Sequence, residues 1–274
     1  MKEILSKVSY HAVYDESIID ALAFAGSHGF AGIQWAVEAP HLAFESLPAE
    51  EIDRIAACRA EAALDISLHA PDDACSLFSA SRHLAEGIFR YFDAMMSLAG
   101  RIGAELITIH LGAPVTFGTD TDPPETIPNP DRALYRQVLA RNLQRLIDLS
   151  AGRFVLCVEN FGLEAMTQEV LQGFLDEGRL FLCWDLAKTF DAAGGPVERI
   201  ESFYRRNIAR VRQVHLHDIR DGRSHCVIGT GCIDFLHFLP SLAAADVMDY
   251  CIEVRPREQA VESLANLRRV LESV

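Results

Sequence analysis

The chain is short of positive charge. In 274 residues, 25 lysines and arginines stand against 39 aspartates and glutamates, for a formal net charge of −14. Tight nucleic-acid binding needs cations that displace counterions from phosphates, so this balance counts against it, although it leaves room for a local basic patch. No run approaches the roughly 20 uninterrupted apolar residues of a membrane helix. The opening MKEILSKVSYH has no apolar core after its lysines and does not read as a secretory signal. No C-x-x-C pair occurs, which argues against a structural zinc ribbon. Seven cysteines is an odd number, and most stand inside apolar runs, as reduced, buried thiols do in a cytoplasmic protein. The G-x-G-x-x-G phosphate loop is also missing, which counts against an open dinucleotide-binding sheet.

What is present is alternation. Short β-type runs fall near 4–9, 31–36, 65–69, 105–110, 153–159, 180–185, 211–217 and 249–254. Between them lie helical stretches such as PAEEIDRIAACRAEAAL, SRHLAEGIFRYFDAMMSLAGRIG and DRALYRQVLARNLQRLIDLSA. Their apolar residues recur every three or four positions, as in helices packed by one face. Eight strands alternating with eight helices over this length predict one (β/α)₈ barrel spanning 1–274, with no linker. The long irregular stretch 112–130, GAPVTFGTDTDPPETIPNP, follows the fourth strand, where a lid or an insertion would lie.

Three strands end in the same phrase: Cys, an apolar residue, then an acid, in LCVE, LCWD and YCIE. Residues two apart on a strand share a face. SLH, TIH and QVH follow the same rule with other letters. Together they place His69, His110, Glu159, Asp185, His215 and Glu253 at the mouth of the barrel. Ser67, Thr108, Cys157, Cys183, Gln213 and Cys251 form a smaller layer beneath. Two strand residues span roughly 6.6 Å, so thiols one layer down cannot share an ion with the acids above. The cysteines are therefore packing residues. Three carboxylates in one mouth would repel each other, and a divalent cation removes the conflict; mixed carboxylate–imidazole sets suit zinc, manganese and related ions.

These residues resemble the xylose isomerase-like barrels, a group of sugar isomerases and epimerases that also includes the endonuclease IV type of abasic-site nuclease. The matching pieces are SLHAP (67–71), TIHLG (108–112), VENF (158–161), CWDLAKTF (183–190), VHLHD (214–218), IGTG (228–231) and IEVRP (252–256), in the family's order. The resemblance implies that Glu159, Asp185, His215 and Glu253 hold a divalent metal ion (zinc, manganese, magnesium or cobalt), with His69 and His110 available for a second. The nuclease pattern for a third ion is broken. Lys188 replaces its histidine and Arg223 its aspartate, leaving only His225. Two cations there would repel a third ion but suit a substrate anion, so Lys188, Arg223 and His225 are expected to bind substrate together with His69 and His110.

The expected activity is isomerisation or epimerisation of a small sugar, sugar phosphate or related hydroxy-carbonyl compound, with Glu159 and Glu253 moving protons through an enediolate. Trp35 and Phe117 are candidate walls for the sugar ring, with ordinary packing an equal reading. A metal-dependent phosphodiesterase or nuclease is the alternative, and a catalytically silent sugar-binding protein is a third. No nucleic-acid or membrane partner is expected. The sequence leaves open whether copies assemble into a homo-oligomer.

Overall fold

A computed structural model describes residues 2–72, 74–115, 129–191 and 193–272. Eight parallel strands close into a barrel: β1 (Val8–Ala12), β2 (Gly32–Ala36), β3 (Asp65–His69), β4 (Leu106–Ile109), β5 (Val155–Glu159), β6 (Phe181–Asp185), β7 (Val211–Leu216) and β10 (Asp249–Ile252). A two-stranded hairpin, β8 (Asp218–Arg220) and β9 (Arg223–Cys226), is inserted after β7. The helices are α1 (Lys2–Leu5), α2 (Ile18–His28), α3 (Ala49–Ala62), α4 (Arg82–Ile102), α5 (Asn129–Ser150), α6 (Ala165–Asp176), α7 (Glu198–Arg206), α8 (Phe235–Ala243) and α9 (Arg257–Glu272). None of the described helices is long and apolar enough to cross a membrane.

Helices α2 and α8 each start where a side chain satisfies a free amide. Ser17 accepts from the Asp20 amide to open α2, and Asp234 accepts from the Leu236 amide to open α8. α4 shows the expected stripe, burying Ala85, Phe89, Phe92, Met96 and Ala99 at helical spacing. Around β6 the packing is aromatic. Trp184 stacks on Tyr204 at 5.0 Å and meets the Phe238 ring edge-on at 5.5 Å, while the Tyr204 hydroxyl donates to the Cys183 carbonyl at 2.9 Å. This fixes α7 and α8 against the strand that ends in Asp185.

Two expectations change. The first strand begins four residues later than its sequence pattern suggested, because Lys2–Leu5 form a helical turn. The apolar residues Ile4 and Leu5 serve that turn's inner side, and the strand proper carries Val8, Tyr10 and Ala12 to the helices. The segment 112–130 lies mostly outside the described residues, Phe117 included.

The ligands also do not form one flat layer above the small residues. Asp185 pairs with His215, but Glu159 pairs with Cys183 and Cys251 with His215. Barrel closure requires a staggered register, so one level mixes ligands from some strands with small residues from their neighbours. The interior below is correspondingly mixed. Leu106, Cys157 and Cys183 make a small apolar cluster. Beside it, Thr108 donates to Gln213, whose amide donates to Asp249 at 2.6 Å; Ser67 donates to the same carboxylate oxygen at 3.2 Å.

All seven cysteines are free, and Cys157, Cys183 and Cys251 are completely buried. Burial pushes each of these thiols up, so they stay protonated. Cys183→Ser should cost about 1–3 kcal/mol by denaturant unfolding, through a hydroxyl with little to bond to, and leave metal stoichiometry unchanged. Loss of bound ion in a correctly folded variant would move the ligands into the thiol layer.

Burial also raises the Asp249 carboxyl, against the donors from Ser9, Gln213 and Ser67 that favour its charged form. Its folded state therefore holds the proton more tightly than the unfolded chain does. The resulting stability is fully present below the unfolded value, about pH 4, and is lost as pH rises through the higher folded value. Asp249→Asn keeps an acceptor for Gln213 without the charge. It should melt higher than the parent at pH 8 and remove that part of the pH dependence; an unchanged melting profile from pH 4 to pH 8 would contradict this account.

Candidate metal centre

The strand ends deliver a dense cluster of charge to the carboxyl-terminal mouth. Glu159 and Asp185 are fully buried, and Glu253 is only 5% exposed. The Glu159 Oε2 atom receives three imidazoles: His110 Nε2 at 2.9 Å, His69 Nε2 at 3.2 Å and His215 Nδ1 at 3.3 Å. His215 Nδ1 lies equally close to Glu253 Oε2, at 3.3 Å. Asp185 is held rigidly. Its Oδ1 accepts from the Ala187 and Lys188 amides, and Asn160 bonds its backbone in both directions, at 2.8 and 2.9 Å.

All six residues of the strand-end pattern thus meet in one place. The four expected to share one ion do not converge on a single point. Asp185, His215 and Glu253 make one triad of neighbouring ligand atoms and Glu159 joins His215 in another that includes His69, while His69, Asp72 and His110, and His217, His225 and Glu253, make two more. Lys188 lies between the first two sets. Its ammonium contacts Glu159 Oε1 and lies 3.2 Å from Asp185 Oδ2, linking one carboxylate from each of them. Lys188 therefore points down into the carboxylates rather than out towards a substrate anion.

The other expected substrate contacts divide. His225 does reach the site, stacking on His217 at 4.3 Å and placing Nδ1 3.0 Å from the Glu253 carbonyl. Arg223 is not brought there. Asp221 and Gly222, both at positive φ, make the tight turn of the hairpin, and its outer arm leaves Arg223 exposed, with no side-chain contact to the cluster among the described residues. Trp35 is no wall. Its strand turns it away from the barrel axis into the helical layer, where it is fully buried and donates to the Leu42 carbonyl at 3.0 Å. Phe161 is an exposed aromatic at the mouth, 44% accessible and stacked on His110 at 5.1 Å.

Several contributors were missed. His11 is buried beside Glu253, its Nδ1 3.9 Å from Oε1, and its Nε2 has no partner. The phrase SYH (9–11) repeats the small–x–ligand rule, but a strand placed at 4–9 hid it. His217 continues the alternation of QVHLH and puts Nε2 3.2 Å from Asp185 Oδ2. Arg255 Nη2 lies 3.2 Å from Glu253 Oε1. Asp72, from the loop after β3, sits 2.9 Å from His110 Nδ1.

The charges tune each other. Burial alone would raise Glu159, yet Lys188, His215 and His110 outweigh it and hold the carboxyl well below its ordinary range. Asp185 is drawn to about 2, as His217 and Lys188 overcome burial. Glu253 follows through His215, His11 and Lys188. Burial opposes protonation of His110, but Glu159 and Asp72 carry it up to about 10. His11 goes the other way: burial, aided by Arg255, keeps it neutral despite Glu253.

One buried acid does not serve the cluster. Asp218 takes four backbone amides: Ile219 and Ile233 on Oδ1 at 2.8 and 3.1 Å, Gly229 and Gly231 on Oδ2 at 3.0 and 2.8 Å. This explains the glycines of IGTG. A Cβ at Gly231 would lie 2.1 Å from the Ile219 carbonyl oxygen, and Gly229 sits at φ +79°. Asp218 ties the segment after the hairpin to the end of β7.

Parallel strands, eight in number, with all ligands at their carboxyl ends define a (β/α)₈ barrel with an acidic–imidazole centre. The sequence profile of the xylose isomerase-like TIM barrel family matches residues 22–270, and the chain belongs to that family. Solved structures share the fold. A D-tagatose 3-epimerase-like protein superposes with a TM-score of 0.73 at 18% identity, covering 97% of this chain and 98% of its own. Endonuclease IV from Thermus thermophilus gives 0.69 at 18% identity, over 98% and 100%. The IOLI protein, solved with a zinc atom, gives 0.71 at 15% identity, over 97% of each. Among curated protein sequences none matches this chain.

Asp218→Ala removes the acceptor of four amides, those of the buried Ile219 and Ile233 and those of the more exposed Gly229 and Gly231. It should cost about 3 kcal/mol or more in denaturant unfolding, with Asp218→Asn intermediate. A loss below about 1 kcal/mol would show that the segment finds other partners.

Proposed function

We propose that the chain is a divalent-metal-dependent isomerase or epimerase acting on a small sugar or related hydroxy-carbonyl compound. One observation carries the metal. Both nitrogens of His215 and the Glu253 Oε2 atom are buried without aligned hydrogen-bond partners among the described residues, although they lie within a cluster of three carboxylates. Buried polar atoms normally find partners, so orphaned atoms in a set of ligand atoms within 4.8 Å of one another fit an ion held between them. Glu159, Asp185, His215 and Glu253 would hold it, with Asp185 already oriented by Asn160 and by its own turn.

A divalent ion bound there supplies a Lewis acid for the substrate's carbonyl and neighbouring hydroxyl oxygens. The protein does the proton work. Glu159 and Glu253 reach His215 from two sides and are both ionised in this environment. One takes the proton α to the carbonyl and the other returns a proton to the opposite face or the adjacent carbon. His69 and His110 hold Glu159 in place through their Nε2 atoms, and Phe161 offers an apolar face to a ring.

The structural relatives include sugar epimerases and a nuclease, and the fold serves both. The surroundings favour the small molecule. The chain carries a net charge of −14, Arg223 stands outside the site, and Lys188 occupies carboxylates rather than a phosphate path.

Purified protein should contain zinc, manganese, magnesium or cobalt by elemental analysis, and chelation should abolish C–H exchange of a ketose substrate in heavy water. Glu253→Gln should lower that exchange by about 100-fold or more, because it removes a proton acceptor. Full exchange by the metal-stripped protein or by this variant would sink the mechanism. Cleavage of abasic-site DNA, falling steeply with salt, would favour the nuclease instead.

A further inference from the structure

We propose that Lys188 is a built-in stand-in for the metal ion: its ammonium fills the space between Glu159 and Asp185, and an ion gathering both carboxylates must expel it towards the mouth. This inference rests on the metal-dependent reading above.

The geometry is that of a plug. Lys188 begins three residues after Asp185, in the 3-10 turn Ala187–Thr189. Its amide donates to Asp185 Oδ1 at 3.2 Å, while its ammonium returns to Asp185 Oδ2 at 3.2 Å and bonds Glu159 as well. Main chain and side chain thus grip one carboxylate from opposite ends. The ammonium is the only lysine or arginine cation in contact with Glu159 or Asp185 among the described residues.

Electrostatics make this place exclusive. Two buried carboxylates left without a cation would repel each other, and one would have to take a proton. The ammonium, which touches both, relieves that conflict together with His110 on Glu159 and His217 on Asp185. A divalent ion within bonding distance of the same oxygens would sit only a few ångströms from the ammonium, where like charges repel strongly in a dry site. Both cannot stay. Asp185, His215 and Glu253 already lie together, and with the ammonium expelled Glu159 would be free to join them.

An exit is also present. The ammonium lies 5.5 Å from the centroid of the Phe161 ring, which borders the solvent. Rotations in the four-carbon stem can carry it up that ring face, where a cation is attracted, while the backbone and its hold on Asp185 remain. Ion binding would then do two things. It would assemble the four ligands and deliver a positive charge to the side of the mouth where substrate oxygens arrive.

The test is a calorimetric titration of zinc or manganese into chelator-treated wild type and Lys188→Met. The variant should bind at least about tenfold more tightly, since the ion no longer competes with an internal cation. The ion-free variant should melt lower than the wild type, and the ion should raise its melting temperature by more. A folding defect in the variant does not remove the test, because the wild type carries its own readout. Acylation of Lys188 by an amine-directed ester, followed by peptide mass spectrometry, should be slow without the ion and at least about tenfold faster with it. Equal or weaker binding by Lys188→Met, or labelling unchanged by an ion that demonstrably binds, overturns the stand-in. Binding by neither protein overturns the metal reading and this inference with it.

Discussion

Glu159, Asp185 and Glu253 are enclosed in one barrel mouth, and their mutual repulsion must be offset before the chain can close around them. An ionised carboxylate left unpaired in such a place costs several kcal/mol. The structure answers with nitrogen groups from every side: His69, His110 and Lys188 on Glu159, His217 and Lys188 on Asp185, His215 and Arg255 on Glu253. With His11 and His225, six imidazoles crowd around three acids. Imidazoles can be donors, acceptors or metal ligands according to their protonation, so this compensation can be rearranged when a stronger cation arrives. A ring of arginines would not allow that.

Positioning these groups falls to the layers around them. The aromatic wedge of Trp184, Tyr204 and Phe238 locks β6 from outside, and Asn160 locks its end to the end of β5. Asp218 performs the same task on the far side, converting the loose IGTG segment into a hydrogen-bonded arch. Inside the barrel, small thiols and a short polar chain from Thr108 to Asp249 fill the space under the ligands. Large apolar side chains there would push the ligand layer out of register, because barrel interiors are packed as tightly as any core.

Much of this was legible in the sequence because strands have a period of two. The repeated small–x–ligand phrase needs only that geometry, and it brought six distant residues to one mouth. What it could not supply was register. Barrel stagger puts Glu159 level with Cys183 rather than Asp185, and no local pattern encodes that offset. His11 was lost for a related reason: the apolar residues of a short helical turn imitated a strand and displaced the real one. Side-chain direction in loops was also out of reach. Lys188 and Arg223 are both cations after ligand-bearing strands, yet a 3-10 turn sends one inward and a hairpin carries the other out. Trp35 failed as a wall because alternation on β2 assigns it to the helical side, whereas Phe161, just beyond β5, is free to face solvent.

The same loop chemistry bears on what the site can accept. A barrel that binds a polymeric phosphate backbone needs cations spread along a path outside the metal centre, where each phosphate can be met in turn. Here the positive charge near the mouth is mostly committed. Lys188 is bound to Glu159 and Asp185, Arg255 to Glu253, and Arg257 to Asp15 and Asp20. Arg223, uncommitted to the cluster, stands on a hairpin rim. Around the opening, Phe161 and Tyr14 present exposed aromatic surface instead. The proposed ligand, with one or two oxygens for a bound ion and an otherwise compact, hydroxylated body, matches that distribution. It can use the inner charges without requiring any of the outer ones, and a chain with so few free cations at its mouth can hold it despite a surface of the opposite sign.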